Sequence, residues 1–279
     1  MRPRFSFGSH HTGNLANIRK QRVKYPRIVR EVIEISDIIL EILDARFIKE
    51  TRNEEIENLI IEKGKKLVFV INKSDLSDKK VDKNIFGNLG PYVFISAKSG
   101  MGMATLRRLI KIEAKRAKLP EGQNRVQVGI VGYPNTGKST VINRIIRRGV
   151  ASTSKQAGHT RGIQKIRMAE NLLMLDTPGV IPDSKYSPIE RKAQALDTKL
   201  GARTYSDVKY PDEVIHFIMQ TNGKDIEKFY DIKADGNTET LIEALGRKKN
   251  ILKKGAEVDT DRVARIILKD WQEGKIKIN

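Results

Sequence analysis

Eight consecutive residues, Gly132-Tyr-Pro-Asn-Thr-Gly-Lys-Ser139, place two glycines, a lysine and a hydroxyl at the spacing G-x-x-x-x-G-K-[ST]. Such a loop can wrap a polyphosphate. The glycines let backbone N–H groups turn inward, and a helix that follows adds the positive end of its dipole. Tyr133, Pro134, Asn135, Thr136, Gly137, Lys138, Ser139 and Thr140 are therefore candidate nucleotide contacts. Lys138 is suited to bridge the β- and γ-phosphates, a catalytic role, and Ser139 to ligate Mg2+. The context fits: Arg125 to Val131 reads as a strand, and Val141 to Arg148 as a helix.

A phosphate loop does not choose a base, but Asn72-Lys-Ser-Asp75 can. A carboxylate accepts two hydrogen bonds from the ring N–H and amino group of guanine, and adenine presents its donor and acceptor the other way round. A wrong base would leave buried polar groups unpaired, so the discrimination is strong. Asp75 is that carboxylate, the stem of Lys73 can cover the base plane, and Asn72 is placed to tie this loop to the phosphate loop. Ser96-Ala-Lys98 supports the assignment, with the N–H of Ala97 offered to the guanine oxygen. Asp176-Thr-Pro-Gly179 fits D-x-x-G: Asp176 is expected to hold Mg2+, and the Gly179 N–H to approach the γ-phosphate, a second catalytic role. Thr160, in Gly158-His-Thr-Arg-Gly162, is the expected switch threonine, catalytic and a ligand of Mg2+; Thr153 competes for that place.

These motifs need strands that end where they begin. Asp37 to Asp44, Lys66 to Ile71 and Tyr92 to Ile95 are apolar runs of strand length, and the last two stop at the base-binding motifs. Pro26 to Ile35, Asn53 to Lys63 and Thr105 to Lys118 read as helices between them, and Leu119 to Asn124 as a linker. Ile163 to Met168 and Asn171 to Leu175 read as two further strands. Alternating strands and helices predict an α/β fold, a mostly parallel sheet with helices on both faces. Beyond about Ser187 the pattern turns helical: Pro188 to Leu200, Asp212 to Met219, Asp225 to Tyr230, Thr238 to Leu245 and Thr260 to Trp271. The predicted organisation is a basic arm over 1–26, a nucleotide-binding domain over 27–186 and a small helical, RNA-binding domain over 187–279. Trp271, with Val263, Ile266 and Ile267 at helical spacing, reads as core.

The chain carries 53 Lys and Arg against 34 Asp and Glu, a net charge of +19 over 279 residues. No acid occurs before Glu31 or between Glu121 and Glu170, and Arg247 to Lys254 is a basic run outside the predicted nucleotide-binding domain. Such a surplus points to a phosphate-backbone partner. No apolar run reaches membrane-spanning length, so a membrane partner is not expected. With no cysteine, disulfides and thiolate metal sites are excluded.

Ras-like GTPases present these motifs in the order phosphate loop, switch threonine, D-x-x-G, N-K-x-D, S-A-K. Here N-K-x-D and S-A-K come first. The chain thereby resembles the circularly permuted P-loop GTPases of ribosome assembly, the YlqF/RbgA type and its archaeal and eukaryotic relatives. Asp44-Ala-Arg46 ahead of Thr51-Arg-Asn53, Pro134-Asn135 in the phosphate loop and Asp176-Thr-Pro-Gly-Val180 add to the resemblance. It implies a cytoplasmic GTPase that hydrolyses GTP to GDP and phosphate with Mg2+. It also implies binding to rRNA and action on the large ribosomal subunit or its precursor. In similar GTPases the residue matching Asn135 helps hold potassium. Where Ras-like enzymes carry the water-orienting Gln, this chain has Val180, so hydrolysis is expected to need help from potassium or from the partner. Bacterial relatives carry Gly-His-Met near the start; this chain has Ser9-His-His-Thr12, and a basic arm touching RNA is the favoured reading of His10 and His11. Two other functions stay open: a nucleotide-gated RNA-binding protein with little turnover, and a GTPase acting on another RNA.

Overall fold

The structure, a computed structural model, describes residues 27–77, 83–117, 119, 122–146, 164–169, 172–176 and 191–278. His10, His11, Thr153, Thr160, Gly179 and Val180 lie outside the described residues.

Among the described residues, six strands form one sheet: β1 (Ile38–Asp44), β2 (Lys66–Asn72), β3 (Tyr92–Phe94), β4 (Val126–Gly132), β5 (Gln164–Ala169) and β6 (Leu172–Asp176). Their spatial order is β3-β2-β1-β4-β6-β5, parallel throughout except for β5, which pairs antiparallel with β6 at the edge. The apolar strands are continuous because both faces are covered. In β1 the faces alternate: Ile38, Leu40 and Ile42 join the core under α4 (Met103–Arg116) and α5 (Lys138–Ile146). Ile39 and Leu43 join the core under a helix over residues 27–35 (α1), α2 (Ile48–Thr51) and α3 (Glu54–Glu62). Asn53 caps α3, its side-chain oxygen accepting from the Ile56 N–H, and three acids in the first turn suit the helix dipole. The mostly parallel α/β sheet with helices on both faces is thus the one the sequence predicts.

Among the described residues, four more helices follow: α6 (Arg191–Lys199), α7 (Pro211–Tyr230), α8 (Thr238–Lys248) and α9 (Thr260–Gln272). They share a core of Ile215, Ile218, Leu241, Ile267 and Leu268 around Trp271, which is 1% exposed. The Trp271 indole N–H donates to the Lys199 carbonyl at 2.9 Å, so this tryptophan is indeed core. The two helices expected over 212–219 and 225–230 are the two halves of α7, which meet at a kink where Asn222 is non-helical (φ −130°, ψ 19°). Ile218, Met219 and Ile226 all bury in one core, so both halves pack on the same cluster, while the low helix propensity of Asn222-Gly223 shows in the kink between them. Two residues of that core come from the sheet part of the chain: Phe47, just past β1, and Tyr133, in the phosphate loop.

Candidate functional site

The carboxyl ends of β1, β2, β3 and β4 lie along one edge of the sheet. Asp44 pairs in register with Asn72, and Ile42 with Gly132, so β1 sits between the base motif and the phosphate loop. The chain runs from β1 to β2 on one side and arrives at β4 on the other, a topological switch point, where open α/β sheets bind ligands.

Asn72 joins three motifs. Its Nδ2 donates to the Thr136 carbonyl of the phosphate loop at 2.9 Å, and its Oδ1 accepts from the Ala97 N–H at 3.0 Å. The N–H expected to face guanine is bonded within the chain here: burial of Asn72, which is 3% exposed, leaves its amide oxygen needing a donor, and Ala97 supplies it. Gly137 (φ +97°) lets the loop pass so close that an added Cβ would lie 2.3 Å from Asn72 Nδ2. Arg144 of α5 fixes the third motif, donating to the carbonyls of Ala97 at 2.8 Å and Lys98 at 2.5 Å. Ser96 closes its own turn, with Oγ accepting from the Ser99 N–H at 3.2 Å.

Asp75, Lys73, Asn72, Ser96, Ala97, Lys98, Gly137 and Thr140 line one cavity of about 180 Å³. Leu76, Gln272 and Glu273 complete its wall; the last two lie at the end of α9, and nothing in their local sequence pointed to this place. Lys73 adopts a left-handed backbone (φ +61°), and its ammonium sits 2.8 Å from Asp44 Oδ2. Asp44 also receives Arg46 through Nε at 3.0 Å and Nη2 at 2.8 Å. Burial pushes the Asp44 carboxyl up, but the Arg46 charge and hydrogen bonds and the Lys73 charge outweigh it and hold the pKa at about 2. Burial lowers the Lys73 pKa, an effect that Asp44 partly offsets. The remaining Arg46 bond, Nη1 to the Trp271 carbonyl at 3.1 Å, reaches α9. Thr51 Oγ1 accepts from the Asp44 N–H at 3.2 Å, and Arg52 pairs with Glu57 and donates to the Ile85 carbonyl at 2.7 Å. Asp44-Ala-Arg46 and Thr51-Arg-Asn53, whose roles the sequence did not disclose, form the frame behind Lys73.

In the phosphate loop the Lys138 ammonium donates to the carbonyls of Gly132 at 3.0 Å and Tyr133 at 2.8 Å, and α5 begins at Lys138 itself. Thr136 Oγ1 donates to the same Tyr133 carbonyl at 2.9 Å. Ser139 and Thr140 are exposed in the first turn of α5. Tyr133 contributes backbone only: its ring is 1% exposed in the helical core, and its hydroxyl donates to Asp197 at 2.6 Å. Burial raises the pKa of both the Tyr133 hydroxyl and Asp197. Pro134 is half-buried, and Asn135 has a left-handed backbone (φ +59°) with Nδ2 donating to the Gly201 carbonyl. Asp176 ends β6, beside the strand that leads into the phosphate loop; its side chain is outside the described residues.

The basic run over 247–254 is partly met within the chain: Arg247 pairs with Glu243 at 2.6 Å, and Lys248 donates to the Tyr230 carbonyl at 2.9 Å. Among the described residues, no helix is long and apolar enough to cross a membrane, and no three His, Cys, Asp or Glu cluster to hold a metal.

Residues 127–253 match the family described as 50S ribosome-binding GTPase. The match begins at β4 and leaves Asn72–Asp75 and Ser96–Lys98 upstream, as a permuted order requires. An uncharacterised GTP-binding protein of Methanocaldococcus jannaschii is 36% identical over 266 residues, covering 93% of this chain and 68% of the relative. Nucleolar GTP-binding protein 2 of Pneumocystis carinii is 32% identical over 256 residues, 88% of this chain and 51% of its own length. Nuclear GTP-binding protein NUG1 of Saccharomyces cerevisiae is 30% identical over 296 residues, 94% of this chain and 56% of its own. The chain thus spans about half the length of these eukaryotic relatives. GNP-bound YlqF from T. maritima shares the fold, with a TM-score of 0.61 and 19% identity over 90% of this chain and 94% of that one. With the loops after β2, β3 and β4 lining one cavity and the base motifs preceding the phosphate loop, the chain belongs to the circularly permuted, YlqF-like GTPases.

Proposed function

We propose that the chain binds GTP and GDP across the β1 switch point and hydrolyses GTP in the service of the large ribosomal subunit or its precursor. The observation that carries the reading is Asn72: one buried amide joins the phosphate loop, the N-K-x-D loop and the S-A-K loop, and the cavity beneath it is lined by Asp75. Asp75 accepts the guanine ring N–H and amino group. Lys73, its ammonium held by Asp44, presents its stem to the base. The Lys138 ammonium already lies in the loop, held by two of the loop's own carbonyls through local bonds that a phosphate can take over.

The donor set suits magnesium bound largely by phosphate and water. Ser139 lies in the first turn of α5, and Asp176 ends β6, one hydroxyl and one carboxylate. The ion would supply positive charge to the β- and γ-phosphates; Thr160 and the Gly179 N–H are proposed to complete that side. Asn135, through its amide oxygen, is proposed to hold potassium.

The charge of +19 supports rRNA as the partner, since each phosphate contact releases counterions. Sedimentation with ribosomal subunits, loaded with a GTP analogue or with GDP, tests that arm: co-sedimentation that depends on the nucleotide and fades with salt is expected, and none in either state overturns it. For the nucleotide arm, Asp75→Asn is expected to lose GTP by about 10³-fold or more and to admit XTP, whose extra carbonyl prefers a donor. Retained preference for GTP would sink the base assignment.

A further inference from the structure

The wall of the base cavity is not made by the sheet alone. Gln272 and Glu273 line it together with Asp75 and Lys98. Beyond them the chain stays on the same loop. Gly274 (φ +72°) packs so closely that an added Cβ would lie 2.4 Å from Leu76 Cδ1. Ser77 and Ile278 form a parallel bridge, and the Ile278 N–H reaches the Leu76 carbonyl at 3.5 Å. Ile276 and Ile278 are fully buried, so the segment is docked by apolar contact as well as by backbone. A second route reaches the same place from below: Lys73 to Asp44, Asp44 to Arg46, and Arg46 to the Trp271 carbonyl.

We propose that Trp271–Ile278 is a wall of the guanine-base pocket, with Asp44 and Arg46 as residues that position Lys73 against it, so that base occupancy and docking of the α9 end are one coupled equilibrium. This rests on the reading of that pocket as the guanine site. A base seated on Asp75 is ordered by loops on both sides, and one of those sides is the C-terminal helical core. Linkage then requires reciprocity: whatever loosens the α9 end weakens the nucleotide by the factor by which the nucleotide holds the α9 end. The base is common to GTP and GDP. The helical part therefore reports loading through this wall, separately from anything the γ-phosphate does on the far side of the site.

The test uses the full chain and GDP. Amide exchange is measured with and without GDP at Gly274, Lys275 and Ile278, whose N–H groups bond to the Trp271, Asp270 and Leu76 carbonyls. Two glycine variants are compared for GDP affinity. Gly274→Ala pushes a methyl into Leu76; Gly236→Ala carries the same left-handed strain (φ +79°) in a position with nothing within 4 Å. GDP is expected to slow exchange over 274–278, and Gly274→Ala to weaken GDP by about five-fold or more relative to Gly236→Ala. If GDP leaves that exchange unchanged and the two variants bind GDP alike, the wall is overturned. Should Gly274→Ala lose its native circular dichroism, the exchange of the unmodified chain decides alone. Asp75→Asn separates the two claims: if it keeps GDP affinity, the guanine-site reading fails, whereas if it loses GDP while the other results are negative, only the wall fails.

Discussion

On the base side of the site, Asn72 uses both amide atoms on other loops, Asp44 is shared between Lys73 and Arg46, and Arg144 clasps the S-A-K turn. On the phosphate side, Lys138 bonds to Gly132 and Tyr133, carbonyls of its own loop, and Thr136 Oγ1 turns back on Tyr133 as well. Base-side bonds span 25 and 64 residues of sequence; those of Lys138 span five and six. Long-range bonds between buried groups fix one geometry through the whole fold, whereas local bonds can be exchanged for bonds to a ligand without unfolding anything else. The base side is therefore a frame; in the phosphate loop, Tyr133 and Asn135 are also tied down, to Asp197 and Gly201 across 64 and 66 residues, and the part a nucleotide can rearrange is the Lys138 ammonium and the Thr136 hydroxyl.

The largest effect expected from breaking the frame is at Asn72. Asn72→Ala strands the Thr136 carbonyl and the Ala97 N–H, and each unsatisfied buried group costs about 1–3 kcal/mol. A urea midpoint lowered accordingly, with GDP affinity falling alongside it, is the expected result. An unchanged midpoint would mean that the three loops are held elsewhere.

A smaller loss is expected at Asp44 in acid. Its folded pKa of about 2 lies below the ordinary 3.8, so its contribution to stability is present above pH 4 and lost as pH falls through 2. The difference is worth about 2 kcal/mol. Asp44→Asn should flatten the stability profile in that window, measured by denaturation at stepwise pH; a profile parallel to that of the unmodified chain would remove Asp44 from the frame. On the phosphate side the expected effect is the smallest. Potassium should raise turnover over sodium by about ten-fold, equivalent to ~1.4 kcal/mol of barrier, and Asn135→Ala should erase the difference. Equal rates in the two salts would leave Asn135 as a loop residue tied to Gly201.

The frame was only half legible in the sequence. Asn72, Asp75, Ser96 and Lys138 stand at the ends of apolar strands, and a parallel sheet brings strand ends together whatever the loops do. The strands themselves declared their burial through unbroken Ile, Leu and Val. The partners of Asp44 and Arg46 could not be read in this way. Arg46 meets Trp271 across 225 residues, and no periodicity encodes a bond of that kind. The place of the Tyr133 ring was hidden for a related reason: it belongs to a helical core formed over sixty residues downstream, where Asp197 takes its hydroxyl across 64 residues. The break expected in α7 stands at Asn222, where Asn222-Gly223 has low helix propensity; the core that its two halves share is what local pattern did not show.

The contrast between frame and adaptable loop is tested most directly by amide exchange at Ala97, Gly137 and Lys138 in the nucleotide-free and GDP-bound protein. The Ala97 N–H is bonded to a buried side chain of the chain itself. It should be strongly protected without nucleotide and gain little on binding, while the N–H groups of Gly137 and Lys138 gain protection when GDP is added. Free exchange at Ala97 until GDP arrives, with Gly137 and Lys138 unaffected by it, would contradict the account.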